Sequence, residues 1–543
     1  MSHARPEPEI WRRPRVVLAA ALAVLVAVAG VLYLRSGDDQ PQGQASCDKP
    51  VTVSVTTTDE MFTQVKGAGD LLSSDPARCT VYQVQKRDPG AVATQIRETG
   101  QAPDVWIPDS RVWADNVNAE EGPVRLKAGP VLASSPVVMA IPQSLAAQTR
   151  WKQPQSWTTM LGDTVPVTTD DPNVTTSSLV AVIAANQSVR GKEAKTKLLA
   201  NYLRLSRSST SEDVLYYFAD KDAKAARVFP TSEQRLASYN SAHPDSKLTA
   251  LVPSEGAGEL TYTWVTPVKP KVPAKAVDAL LGQLTSPEGR SQMSLAGLRV
   301  AGGQTPRSSI PSDVKFIGYP SLDESQGAQR AWVSLRKDAR MLVLVDVSGS
   351  MSSPAEPGSK TTRIQMLNGV ASNALGGLPK STAMGAWAFS TDLDGKGKDY
   401  LELAPDIKPL TAPHIAELRR QLARTPSMVA KNGDTGLYDS ISAAYRFMTS
   451  TYDPDYVNSV VVLTDGKNDD PGGGLDLAKL LTQLKGQYDR KKPIKIVTIS
   501  IGQGTDPQAL QQVVNTTNGL NYVTNSPSEI TSVFVDAFLR RGE

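Results

Sequence analysis

Histidine and cysteine are scarce in this chain of 543 residues, which has three of the first (His3, His243, His414) and two of the second (Cys47, Cys79). No pair of them stands at zinc-ligand spacing, and zinc, whose usual protein ligands are thiolate and imidazole, is excluded. A glycine run followed by lysine, as in phosphate-binding loops, is also missing. Two carboxylates around Mg²⁺ occur in phosphoryl-transfer enzymes, but without such a loop or a nearby histidine the carboxylates below point to binding, not to an enzyme. Charge of one sign is lacking too. Lys+Arg 58 against Asp+Glu 55 gives a formal net charge of +3, with no arginine cluster or aromatic platform, so nucleic acid is not an expected partner.

Long hydrophobic runs are equally rare, with one exception. Residues 16–34 read VVLAAALAVLVAVAGVLYL, an uncharged stretch long enough to cross about 30 Å of hydrocarbon at roughly 1.5 Å per residue. Arg12, Arg13 and Arg15 precede it and Arg35 follows. The positive-inside tendency then keeps residues 1–15 in the cytoplasm and exports the remainder, with one helix in contact with membrane lipid. A signal peptide is the competing assignment. Residues 35–47, polar and core-less, read as a flexible stalk. Cys47 and Cys79 would lie where disulfides form, and their pairing would close a loop of about 30 residues; two buried free thiols are the other reading.

The stretch Arg340–Met351, RMLVLVDVSGSM, drives an apolar strand into three oxygen-bearing side chains at i, i+2 and i+4. Met341–Val345 has the length and branched content of a strand buried on both faces, and ligand sites in α/β sheets gather at the carboxyl ends of such strands. Asp346, Ser348 and Ser350 are hard oxygen donors suited to Mg²⁺, Mn²⁺ or Ca²⁺, although a Ser/Gly-rich turn after a core strand would read the same. Val460–Leu463 is a second short strand, ending in Thr464, Asp465 and Gly466. Between them the loop 432–436 precedes a periodic segment, Leu437–Thr449, and places Thr435 at a helix start.

This set resembles the von Willebrand factor type A domain and its metal ion-dependent adhesion site, over roughly 336–538. The resemblance implies a doubly wound, mostly parallel sheet and a Mg²⁺ (or Mn²⁺ or Ca²⁺) site formed by Asp346, Ser348, Ser350, Thr435 and Asp465. It also implies a protein or cell-surface partner that supplies an acidic group to the metal. Asp434 departs from the glycine often found there and is expected to face solvent or serve the helix N-terminus. The last helix of this unit is expected over Ile530–Leu539.

Residues 48–305 are too long for a linker. Val51–Val55 reads as a first strand, Gly90–Thr99 as a helix and Asp104–Ile107 as a strand ending in Pro108-Asp109-Ser110; ASSPVVMAIP (Ala133–Pro142), DPNVTTSSL (Asp171–Leu179) and SPEG (Ser286–Gly289) follow. The order is similar to that of extracytoplasmic solute-binding proteins of the type II periplasmic-binding fold. That likeness implies two α/β lobes around a cleft for a small polar or anionic solute, lined by Thr57, Thr58, Ser110, Ser134, Ser135, Thr175, Thr176 and Ser177. Each of these residues is also a natural cap or turn residue.

The expected architecture is therefore α/β throughout: a two-lobed solute-binding-like domain (48–305), a connector (306–335) and a Rossmann-like A domain (336–540). Two functions follow. One is a protein anchored in the bacterial cell membrane by a single pass, recognising a protein or surface through the metal, with solute sensing beside it. The other is a solute receptor of a transport assembly whose A domain docks partner proteins.

Overall fold

The computed structural model describes residue 47 and residues 49–524, apart from 150–153, 163, 223, 303–305, 307–309, 357, 430–432 and 502–503. Two sheets organise the chain. In the first, β1 (Val51–Thr57), β2 (Thr80–Lys86), β3 (Val105–Ile107), β4 (Leu126–Pro142), β5 (Phe229–Ser232), β6 (Leu248–Leu251) and β7 (Gly258–Pro267) take the order β2-β1-β3-β7-β4-β5, with β6 on β4. Pairing of β1 with β2 and β3 is parallel. The long β4 joins two lobes: Leu126–Val137 pairs with β7, whereas Val137–Pro142 pairs with β5 and β6. Behind the sheet lies the helix Thr176–Ser188, buried continuously from Thr176 to Ala185. A helix apolar all round belongs in an interior, and here it does.

The helix Leu322–Arg336 falls within the stretch expected as a connector and starts on a capping box of Ser321 and Glu324. Its Ala328, Trp332 and Leu335 join the core of the N-terminal unit, with the Trp332 ring tilted against that of Tyr202 at 6.1 Å between centroids. It touches both lobes, through Asn116 to Gln329 at 3.1 Å and Gln187 to Glu324 at 2.9 Å. After Lys337 the chain enters the second sheet directly.

That sheet has the order β10-β9-β8-β11-β12-β13, from β8 (Asp338–Asp346), β9 (Ala383–Phe389), β10 (Tyr400–Pro409), β11 (Tyr456–Thr464), β12 (Ile494–Ile501) and β13 (Leu520–Thr524). All neighbours are parallel except β9 and β10. Helices cover both faces, which explains the unbroken apolar run of β8: Met341, Val343 and Val345 enter one core while Leu342 and Leu344 enter the other. The antiparallel edge β10 carries Pro405 and Pro409 and has two register shifts, features that blunt an exposed edge.

The membrane assignment needs correction. The apolar run 16–34, the preceding tail and the stalk lie outside the described residues, as does the expected helix Ile530–Leu539. Among the described residues no helix is long and apolar enough to cross a membrane. The longest α-helix described, Lys192–Ser208, has 17 residues and carries Lys192, Glu193, Lys195, Lys197, Arg204 and Arg207, charges that hydrocarbon does not accept. Single-pass localisation and lipid contact through one helix thus find no support among the described residues.

A disulfide joins Cys47 to Cys79 across 32 positions, tying the chain beside β1 to the turn before β2. Loop closure of this size stabilises by about 3–4 kcal/mol in the chain-entropy account. Urea unfolding of a Cys47→Ser, Cys79→Ser variant should show a loss of about that size; an unchanged midpoint would mean that the pairing contributes nothing.

Candidate metal centre and interlobe cleft

β8 ends at Asp346 and β11 ends at Thr464, so parallel pairing of the two strands brings their carboxyl ends side by side. Asp346 is fully buried, and both its oxygens are held: Oδ1 accepts from the Ser348 N–H at 2.8 Å and Oδ2 from the Thr464 hydroxyl at 2.6 Å. The Ser348 and Ser350 hydroxyls meet at 3.1 Å, and Ser350 donates to Asp465 Oδ1 at 2.7 Å. A Cβ added to Gly466 would sit 3.3 Å from Thr435 Oγ1 and 3.7 Å from Ser350 Oγ, so the missing side chain lets these two hydroxyls flank one point. All five motif residues therefore converge.

Two buried carboxylates lie in this cluster. Burial, and then the charge of Asp465, push the Asp346 carboxyl up to about 6. Asp465 Oδ2 is met by the Arg363 guanidinium at 2.6 Å. Arg363 stands in for positive charge beside two buried carboxylates. The donor set is oxygen only and fits a hard divalent cation. Arg363 escaped sequence reading because nothing in its spacing marks it. Asp434 works through its backbone carbonyl, which accepts from Thr391 N at 2.9 Å and Ser390 Oγ at 2.8 Å.

A second acidic group hangs from the same segments. Thr435 and Asp469 form a two-bond bridge, N to O at 2.7 and 3.0 Å, and close by, Asp399, Asp439 and Asp470 bring one oxygen each within 4.8 Å of the others. Such a cluster could coordinate a divalent cation. The three residues lie in segments far apart in sequence, and no motif announces them.

In the N-terminal unit the expected residues divide. Thr57 donates to the Ile107 carbonyl at 3.1 Å and is used within the sheet. Ser134 makes a backbone bridge with Arg299, while the Ser135 hydroxyl accepts from Gln234 N at 3.1 Å. Ser110 is paired with the Tyr319 hydroxyl at 2.5 Å, and the same hydroxyl accepts from Val112 N at 2.9 Å. Thr176 crosses between lobes: it donates to Asp109 Oδ1 at 2.5 Å and accepts from Trp113 Nε1 at 2.7 Å. Thr58 and Thr175 keep buried hydroxyls with no hydrogen bond among the described residues, and Ser177 is buried two positions after Thr175.

Carboxylates in this cleft were not among the expected residues. Burial, then the charge of Glu60, push Asp109 up to about 8. Glu212 rises to about 7 through burial, against the lowering pull of Arg235. The signal for Asp109 was its place directly after β3; Glu60 and Glu212 sit in first turns of helices, where an acid is commonplace.

Comparison with known proteins follows this division. Residues 55–299 match the family model described as bacterial extracellular solute-binding protein, and residues 341–535 match the von Willebrand factor type A domain. The chain is a two-lobed periplasmic-binding-like domain followed by an A-type domain. Both are binding-protein families without catalytic activity, in keeping with a non-enzymatic protein. An uncharacterized protein of Mycobacterium tuberculosis strain H37Rv, and its counterpart in strain CDC 1551, are 24% identical to this chain, over 93% of it and 79% of their own length. Among solved structures, the periplasmic binding protein P5PA is 10% identical, with 53% of this chain and 100% of that one covered at a TM-score of 0.42. A von Willebrand factor type A protein from Catenulispora acidiphila is 17% identical, with 38% and 43% covered at 0.30.

Proposed function

We propose that the protein is a solute receptor whose A-type domain docks a partner protein through a divalent cation. The cation, Mg²⁺ or Mn²⁺, would be held by Asp346, Ser348, Ser350, Thr435 and Asp465. When bound, it offers a Lewis-acidic position to a carboxylate of the partner. The chain's own residues do the rest: Thr464 and the Ser348 N–H orient Asp346, and Ser350 orients Asp465. The observation that carries this reading is the hydrogen-bonded chain from Asp346 through Ser348 and Ser350 to Asp465, buried at both carboxylates and exposed between them at Ser350. The solute would sit between the lobes, near Thr58, Thr175 and Thr176.

The test of docking is metal-dependent recovery of one defined partner, identified with the wild-type chain in Mg²⁺ and released by chelator. Asp346→Ala should recover none of it. Equal recovery by the variant, or in chelator, would reject metal-mediated docking.

Arg363 supplies a separate prediction. A guanidinium on Asp465 competes with an incoming cation, so Arg363→Gln should tighten Mg²⁺ or Mn²⁺ binding by about 3- to 10-fold, the size of an interaction of about 0.7–1.4 kcal/mol. Calorimetric titration reads this directly; an unchanged affinity would show that Arg363 does not compete.

A further inference from the structure

Charge does not balance inside the interlobe cleft. Glu60, in the first turn of the helix Asp59–Ser73, is met from the other lobe by the Ser232 hydroxyl at 3.3 Å. Asp109 is met by the Thr176 hydroxyl. Neither has a cationic partner among the described residues. The nearest guanidinium, that of Arg235, is already shared between Glu212 at 3.5 Å and Asp213. Asp109 is thus closed between lobes with neutral partners alone, and half-buried Glu60 has only the field of the already shared Arg235, an arrangement that low-dielectric surroundings penalise.

Neutral acceptors at the same place are also left over. The Tyr262 hydroxyl on β7 is fully buried and makes no hydrogen bond among the described residues. Its phenol lies in the field of Glu60, Asp109 and Glu212, and its neighbour Thr261 is tied to Asp109 by an N–H to carbonyl bond of 2.7 Å. Thr58 Oγ1, two residues before Glu60, and Thr175 Oγ1, beside Thr176, are likewise buried and unpaired. Buried polar groups ordinarily have partners, and an orphan phenol in the field of these carboxylates marks a missing one.

The missing partner is a cation or a hydrogen-bond donor. Among the described residues, the carboxylates that gather as a set within 4.8 Å are Asp399, Asp439 and Asp470; Glu60, Asp109 and Glu212 are spread more widely. Carboxylates accompanied by neutral hydroxyl acceptors suit a cation that is itself a hydrogen-bond donor. We propose that the cleft binds a solute bearing a primary ammonium group, held by Glu60 and Asp109 with Tyr262 and Thr58 as neutral acceptors. This rests on the receptor reading and narrows it, opposite in sign to the anion that helix N-termini would favour.

The experiment is calorimetric titration of the full chain with 1,4-diaminobutane and, in parallel, with inorganic phosphate and with Mn²⁺. The diamine is expected to bind, with Glu60→Gln and Asp109→Asn each weakening it by about 10-fold or more, as loss of a charged hydrogen-bond partner does. Tyr262→Phe should weaken it too, while leaving the unfolding midpoint of the ligand-free chain unchanged or raised, because an unpaired buried hydroxyl is removed. Phosphate binding without diamine binding would overturn the ammonium proposal and retain a solute receptor. Mn²⁺ binding that Glu60→Gln abolishes would assign the cleft to a metal and overturn it as well. Diamine binding indifferent to both acidic variants would place the diamine elsewhere. No binding by any probe would count against both the proposal and the receptor reading.

Discussion

Replacing Asp346 and Asp465 together by alanine is expected to abolish one equivalent of Mg²⁺ or Mn²⁺ binding, weakening that site by more than about 100-fold. Changes to groups that only orient a ligand commonly cost about 10- to 100-fold, and here two charged donors would go. Asp346 cannot be compensated from solvent, since it is fully buried, and no other carboxylate shares its hydrogen bonds with Ser348 and Thr464. Calorimetric titration gives stoichiometry as well as affinity, which separates this site from any ion at Asp399, Asp439 and Asp470. Should the double variant bind the same number of ions with the same affinity, the five-residue assignment fails. Circular dichroism supplies the folding control, with Asp346→Asn as the near-isosteric second variant.

The second large effect is a dependence of stability on pH. Asp109 lies at about 8 in the folded chain, because burial and then Glu60 disfavour its charged form; unfolded, it returns to about 4. Between those values the folded state holds a proton that the unfolded state has released. Its stabilising contribution is therefore fully present below about pH 4 and is lost as pH rises towards 8. Glu212, at about 7, acts in the same direction over a narrower window. Thermal unfolding of the ligand-free chain should shift downward by several degrees between pH 5 and pH 8 in the transition of the N-terminal unit, with a size of about 2–4 °C per kcal/mol for a domain of this length. Asp109→Asn should flatten most of that shift. An identical slope in the variant would mean that Asp109 ionises freely in the fold. If the cleft holds an ammonium group, saturating diamine should also erase the slope, since a cation between Glu60 and Asp109 restores the charged form.

These predictions differ in how far they were visible beforehand. The oxygen-donor cluster is written locally: β8 and β11 are buried on both faces, so each reads as an unbroken apolar run, and the oxygen-bearing residues at their ends stand at short, fixed spacings. Alternation of such strands with helices likewise shows an α/β chain in two parts, because hydrophobic periodicity belongs to the segment that carries it. The antiparallel edge strand β10 was harder to see, since its two prolines and register shifts interrupt the alternation.

Arg363 on Asp465 joins positions 102 residues apart, Asp109 with Thr176 joins positions 67 apart and Glu60 with Ser232 joins positions 172 apart. No local spacing encodes such meetings. That the Tyr262 hydroxyl has no partner is more hidden still, because an unpaired group is defined by everything packed around it. Residue type and periodicity determine what a segment can become, and these the chain carries in its order. Which charge is left without a counter-charge is decided by how the lobes and strands close on one another, because electrostatic energy depends on distance and burial in space.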